Sequence, residues 1–256
     1  MARPVLSGDG TASVTAVLFA GGELVAQVTE LGIPTDAGFE ELDLPGLRTT
    51  VKEPLQAWTV HLDAGEHGFD LTFEAAGPPA ELDASEPAAR AGALPGYEQL
   101  CHVHGTVWLG ERTHEVRCRG QRGHSWGVPD LDRVAAWRML GAWLDDGTGV
   151  VLRAVRPAGR TAHGDESLWA AVLGSAGSLR VDEPRLSTTY DDDGCQLRAG
   201  LELWVGEDDD HPRRVVGEVL CGSTVDLGPL RLQCAFVRWR MDGRSGIGRY
   251  DLLRRA

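Results

Sequence analysis

Apolar and polar positions alternate along most of this chain in short runs broken by turn formers. In "VTAVLFAGGELVAQV" two alternating runs flank Gly21-Gly22, residues able to take the positive φ angles that a two-residue hairpin turn requires. "AWTVHLDAGEHGFDLTFEAA" places Trp58, Val60 and Leu62 on one strand face, and Phe69, Leu71 and Phe73 on one face of the return strand. "STTYDDDGCQLRAGLELWV" repeats the device around an Asp-Gly turn, with Leu197, Ala199, Leu201, Leu203 and Val205 alternating. "CAFVRWRMDGRSGIGRYDLLRR" forms a last pair around Asp242-Gly243. Short strands at this spacing, with no parallel β-α-β rhythm, predict an all-β protein of antiparallel barrels or sandwiches. No sequence repeat is visible, yet the two halves carry similar hairpin counts. The pattern therefore suits two β domains in tandem, residues 1–125 and 126–256, meeting near residue 125.

Two stretches depart from the rhythm. "PPAELDASEPAARAGALPG" (78–96) is rich in proline, alanine and glycine and reads as a surface connection with at most one helical turn. "PDLDRVAAWRMLGAWLDDG" (129–147) suits either a helix capped by Asp130 or a short turn leading into a strand. The all-β context favours the strand, with Trp137, Met139 and Trp143 on one face.

Composition narrows the function. At 256 residues the chain is long enough for a sizeable core, and 42% hydrophobic with 25% charged residues is the balance of a globular protein. A net charge of −13 argues against nucleic acid and against anionic membrane surfaces as partners. "MARPVLSGDGTASV" has no apolar run of signal-peptide length, and no later run approaches a membrane span. The five cysteines are scattered and never in a C-x-x-C pair, which suits reduced thiols in a cytoplasmic protein. Lys52 is the only lysine, leaving little room for Schiff-base chemistry.

Nucleotide-binding motifs and the G-x-S-x-G elbow are absent, and the glycines of "GRSGIG" lead into a strand. His102 and His104 share a strand face, but the buried face of "YEQLCHVHGTVWL" is better read as Tyr97, Gln99, Cys101, Val103, Val107 and Leu109. With no acidic or cysteine partner at ligand spacing, no metal site is expected. The acidic runs "DDDG" (191–194) and "EDDDHP" (207–212) read as solvated hairpin tips.

The unusual stretch is "GQRGHSWGVPD" (120–130), which sets Arg122, His124 and Trp126 among turn formers. Of eight tryptophans most should be core, but Trp126 sits in a glycine-flanked loop, where it either plugs a barrel or lines a cleft. His124, two residues earlier, points the same way if the segment is extended. An imidazole against an aromatic wall is a candidate proton donor or acceptor. "AWLDDG" adds Trp143 and Asp145 on one strand face before a turn. Facing the same cleft, Asp145 would have its pKa raised by desolvation and serve as an acid. The competing reading leaves His124 and Arg122 satisfying loop carbonyls and Asp145 structural.

"YEQLCHVHGTVWLGERTHEVRCRGQRGHSWGVPD", "AWLDDG" and "MDGRSGIGRYDLLRR", together with "LRTTVKEPLQAWTVHLDAGEHGFDLTFEAAGPP", resemble the carotenoid-hydratase (hydroxyneurosporene synthase) and AttH-like superfamily, and in particular its bacterial branch with an H-S-W-G loop. The resemblance implies two tandem lipocalin-like (calycin) barrels packed together, with the signature loop near their junction. It implies chemistry without metal or redox cofactor on greasy substrates: water addition to an isolated double bond, or pericyclic folding of polyenes. The His-x-Trp pair would be His124 and Trp126, and the aromatic-x-Asp pair Trp143 and Asp145. Asp251 stands where the branch would have Glu, and Gly123 where an acidic residue precedes the histidine.

Together these readings make the chain a cofactor-independent enzyme on a hydrophobic polyene, polyketide or terpenoid, catalysing cyclisation, isomerisation or hydration as a monomer or homodimer. His124 and Asp145 would move the proton. Arg122, Trp126, Trp143, Gln99 and Tyr97 would bind the substrate. The alternative is a non-catalytic lipocalin-like carrier of a lipophilic ligand.

Overall fold

The computed structural model describes the chain apart from Thr161, residues 207–210, Ala256 and the side chain of His163. Among the described residues, nineteen strands and one six-residue helix, Pro87–Gly92, make up nearly all the regular structure. The fold is all-β, as the alternation predicts. Tight turns sit where the sequence puts them: Gly21 and Gly22 take φ of 62° and 91° between Thr11–Ala20 and Glu23–Pro34. Asp242 and Gly243, at 51° and 77°, join Leu230–Met241 to Arg244–Arg255.

The chain divides into two compact units. The first is residues 1–75 with 101–120, and the second is residues 76–100 with 121–256. Two long strands, Gly96–Leu109 and Arg112–Ser125, therefore belong to both units. In the first unit, Ala57–Ala64 pairs with His67–Ala75 so that Trp58 faces Phe73, Val60 faces Leu71 and Leu62 faces Phe69. Its core gathers Val14, Ala16, Leu42, Leu44, Leu47, Leu62 and Phe69. On Gly96–Leu109, Cys101 and Val103 are buried while His102 is exposed, and His104 Nδ1 lies 3.9 Å from Glu74, so both histidines face outward as expected.

The second unit is built on one antiparallel nine-stranded sheet. Its order is Gly177–Arg180, Ser167–Gly174, Gly149–Pro157, Val134–Leu144, Arg244–Arg255, Leu230–Met241, Arg213–Asp226, Gln196–Trp204 and Glu183–Tyr190. The sheet curls on itself: the hydroxyls of Thr188, on the edge strand, and Tyr250, on the central one, meet at 2.8 Å. Inside the curl lie Leu140, Leu144, Leu152, Leu201, Leu203, Val237 and Trp239, all nearly solvent-free. The opposite face carries Val151, Trp169, Ala171 and Leu173. Period-two alternation, with both faces covered, explains why these central strands read as almost continuously apolar.

Three expectations need correction. Residues 78–96 are not a surface connection: Ala80, Leu82, Ala88 and Ala89 pack with Trp169 and Leu173, because a short apolar strand and helix cover the outer sheet face. Leu197 is exposed at 48% and does not continue the row of Ala199, Leu201 and Leu203. The pairing slips between Thr189 and Tyr190, leaving Leu197 as the extra residue of a β-bulge and turning Gln196 inward. Of the tryptophans only Trp137, Trp169 and Trp239 are buried, and Trp126 is 51% exposed. The strand reading of 129–147 holds, with the strand running Val134–Leu144. Of the acidic runs, 191–194 is a turn braced by Asp191, while residues 207–210 lie outside the described residues.

Candidate functional site

Within the second unit the adjacent strand segments 96–100 and 121–125 have two faces, set by alternation. One face carries Glu98, Gln121 and Ser125, and the other carries Tyr97, Gln99, Arg122 and His124.

The Glu98 face is a buried charge network. Glu98 is 3% exposed, and its carboxylate accepts hydrogen bonds from Gln121 Nε2 and from Arg153, whose Nε lies at 2.9 Å. Arg249 reaches it at 3.5 Å and Asp251, 1% exposed, at 3.0 Å. Burial pushes the Glu98 carboxyl up, but the charges of Arg153 and Arg249 outweigh it and hold Glu98 below the ordinary glutamate value. Two carboxylates against two guanidinium groups make the network neutral, the condition under which buried charges persist. Two glycines permit the close approach. A Cβ at Gly123 would stand 2.7 Å from a Glu98 oxygen, and one at Gly141 would overlap the Gln121 amide. An acidic side chain at position 123 would thus be driven onto Glu98, which accounts for the glycine there.

The other face is a row of rings beside a cation. Arg122 donates through Nε at 2.9 Å and through a second nitrogen to Gln99 Oε1, and through Nη1 at 2.6 Å to the Tyr97 hydroxyl. Gln99, 1% exposed, anchors this set by donating to the Gly77 carbonyl at 2.6 Å. The guanidinium carbon sits 5.0 Å from the Tyr97 ring centre. The His124 ring lies 6.1 Å from that of Tyr97 and 5.8 Å from that of Trp126, at interplanar angles of 28° and 31°. Burial first, and the Arg122 charge second, pull the His124 pKa below the ordinary histidine value. At neutral pH this imidazole is uncharged and can accept a proton.

Five of the seven residues singled out from the sequence thus share one face: Tyr97, Gln99, Arg122, His124 and Trp126. Trp143 is elsewhere. Its Nε1 donates at 3.3 Å to Gln121, which places it with the Glu98 network. Asp145 is exposed at the end of its strand, its carboxylate 3.4 Å from Ser245 N and 3.5 Å from Ser245 Oγ. Sequence reasoning missed Glu98, Gln121, Arg153 and Arg249. A glutamate inside the otherwise apolar "GYEQLC" and an arginine inside "VVLRAV" were the available signals, since a charge in a strand buried on both faces needs a partner.

The chain is an all-β protein whose fold is shared with solved structures. It belongs to the DUF7064 family, a domain of unknown function, whose model matches residues 2–255. Its fold is similar to the crystal structure of an AttH candidate from Nitrosomonas europaea, at TM-score 0.66 and 14% identity over 94% of this chain and 85% of that one. It is also similar to the crystal structure of CghA, at TM-score 0.60 and 13% identity over 96% and 79%. No curated protein matches the chain by sequence. No described helix is long and apolar enough to cross a membrane.

Proposed function

We propose that this protein is an enzyme acting on a largely apolar small molecule with one polar end, moving a proton to isomerise or cyclise it. The observation that carries this reading is the His124 ring, with its lowered pKa, flanked by Tyr97 and Trp126 beside an immobilised Arg122. Neutral His124 takes a proton from a carbon next to a carbonyl. Arg122, positioned in advance by Gln99 and Tyr97, stabilises the oxygen on which negative charge develops. Return of the proton from the imidazolium to another carbon completes an isomerisation, and attack by the enolate on a second electrophilic carbon, followed by return of the proton from the imidazolium to the anion so formed, completes a cyclisation. Trp126 supplies apolar wall for the rest of the molecule. Water addition to an isolated double bond fits less well, because it calls for a strong acid and this imidazole is held unprotonated. Asp145, exposed and engaged by Ser245, leaves the proton work to His124 in this reading.

The test is proton exchange on β-ionone and pseudoionone, two conjugated polyene ketones, in deuterated buffer. The protein should accelerate deuterium incorporation next to the carbonyl, and His124→Ala should lower that rate by roughly two to four orders of magnitude. Binding of the same ketones should persist in the variant. Binding with no exchange by the parent protein would replace the enzyme reading with a carrier, and exchange indifferent to His124 would remove the proposed base.

A further inference from the structure

A second charged cluster lies inside the curl of the nine-stranded sheet, on the face opposite the Glu98 network. Arg138 follows Ala136 and precedes Leu140 and Ala142 on the inner side of its strand, and is 4% exposed. It lies 3.0 Å from a Glu166 oxygen, and Arg156 Nε lies 3.9 Å from the same oxygen. The two guanidinium heads therefore stand together over one carboxylate, which is itself 2% exposed at its side chain. Among the described residues, two positive charges against one negative leave the cluster at +1, in a protein whose overall charge is −13.

The guanidinium groups also lack acceptors for part of their donors. Nε and Nη1 of Arg138 and Nε of Arg156 are buried and meet no hydrogen-bond acceptor among the described residues. Arginine cannot relieve this by losing its proton, so buried guanidinium donors without acceptors are costly unless something supplies oxygens. Beside Arg138 stands an uncharged polar pair. Thr188 and Tyr250 share a hydrogen bond, and burial, with Tyr190 next, pushes the Tyr250 phenol above its ordinary value while Arg138 acts against the rise. Arg156 remains 29% exposed, which gives solvent a route to the cluster.

We propose that this cluster is a second binding site, separate from the ring row, in which Arg138 and Arg156 receive the carboxylate of a small organic acid. A monoanion matches the single excess charge, whereas a dianionic phosphate would leave net negative charge in a dry interior. Carboxylate oxygens meet guanidinium donors in strong charge-assisted hydrogen bonds. Apolar neighbours on the same sheet face, Leu140 and Leu252, make an aliphatic acid the fitting source.

The experiment is calorimetric titration of the full chain, in low-chloride buffer, with acetate, decanoate and decanol. The acids should bind and decanol should not. Tighter binding of decanoate than acetate assigns an apolar tail to the site, and equal affinity assigns the headgroup alone. Arg138→Met should weaken acid binding by about tenfold to a hundredfold, the effect of losing charged hydrogen bonds. Glu166→Gln should tighten it, because the competing carboxylate is gone, and a merely damaged fold would not produce a gain. Acid binding that survives Arg138→Met but is lost in Arg122→Met would assign the acids to the ring row and overturn the proposal. The proposal is overturned if neither acid binds, if decanol binds as well as decanoate, if chloride displaces the acids at equal concentration, or if Glu166→Gln fails to tighten binding. None of these outcomes depends on exchange chemistry at His124.

Discussion

Gln121 and Arg122 are consecutive in sequence and serve opposite sides of one strand. Gln121 donates to Glu98 in the buried charge network, and Arg122 donates to Gln99 beside the ring row. Alternation makes the two inseparable: whatever fixes Gln121 also fixes the aim of Arg122 and, two residues on, of His124. The buried network thus acts as a mount for the open face.

Breaking the mount should cost stability. Glu98→Gln leaves the partly buried guanidinium groups of Arg153 and Arg249 facing a single carboxylate, Asp251, and should destabilise the fold by about 3–5 kcal/mol. Because Glu98 is held below its ordinary pKa of 4.5, its contribution is complete above that value and is lost as pH falls through the lower folded value. The stability gap between parent and variant, followed by urea denaturation, should therefore be constant from neutral pH down to the ordinary carboxylate range and close only in more acidic solution. A gap that closes with rising pH would contradict the arrangement.

His124 should titrate below the ordinary histidine value of 6.5 in NMR spectra of the folded protein. Arg122→Met should raise that pKa only in part, since burial is the larger cause and remains. The folded state disfavours the imidazolium, so protonation draws the equilibrium toward unfolding as pH falls below 6.5, and His124→Gln should remove that dependence. In the proposed reaction the acidic limb of the rate profile should follow the same depressed value.

Gly123→Ala places a methyl against the Glu98 carboxylate, and overpacking of this kind costs typically about 1–3 kcal/mol. Gly123→Asp should cost more, through like-charge repulsion in a buried setting. Thermal melts of the two variants, with Gly38→Ala as a comparison in an exposed loop where nothing obstructs the added carbon, will rank them.

Trp239, fully buried, lies against Gly217 on the neighbouring strand, where an added Cβ would run into its ring. Gly217→Ala should lower stability by about 1–3 kcal/mol and Trp239→Ala by about 3–5 kcal/mol. If that packing is local to the curled sheet, neither change should move the His124 titration.

Much of this molecule was legible in its letters. Strand identity, hairpin turns and the pairing of Trp58, Val60 and Leu62 with Phe73, Leu71 and Phe69 follow from period-two alternation and turn chemistry, which are local properties. So did the gathering of Arg122, His124 and Trp126, since residues two apart in an extended strand must share a face. What the letters did not contain was which face met which neighbour. Trp143 was grouped with His124 from resemblance, yet tertiary pairing set it across from Gln121, on the other side. Glu98, Arg153 and Arg249 lie on three separate strands, Arg249 at 151 residues from Glu98, and only the folding of a sheet over a strand pair brings their charges within reach. The exposure of Leu197 likewise turns on a one-residue slip in pairing that no pattern of hydrophobicity records. Alternation is fixed by the geometry of a single chain. The balance of buried charge is a property of the contacts between chain segments, and those exist only once the fold has formed.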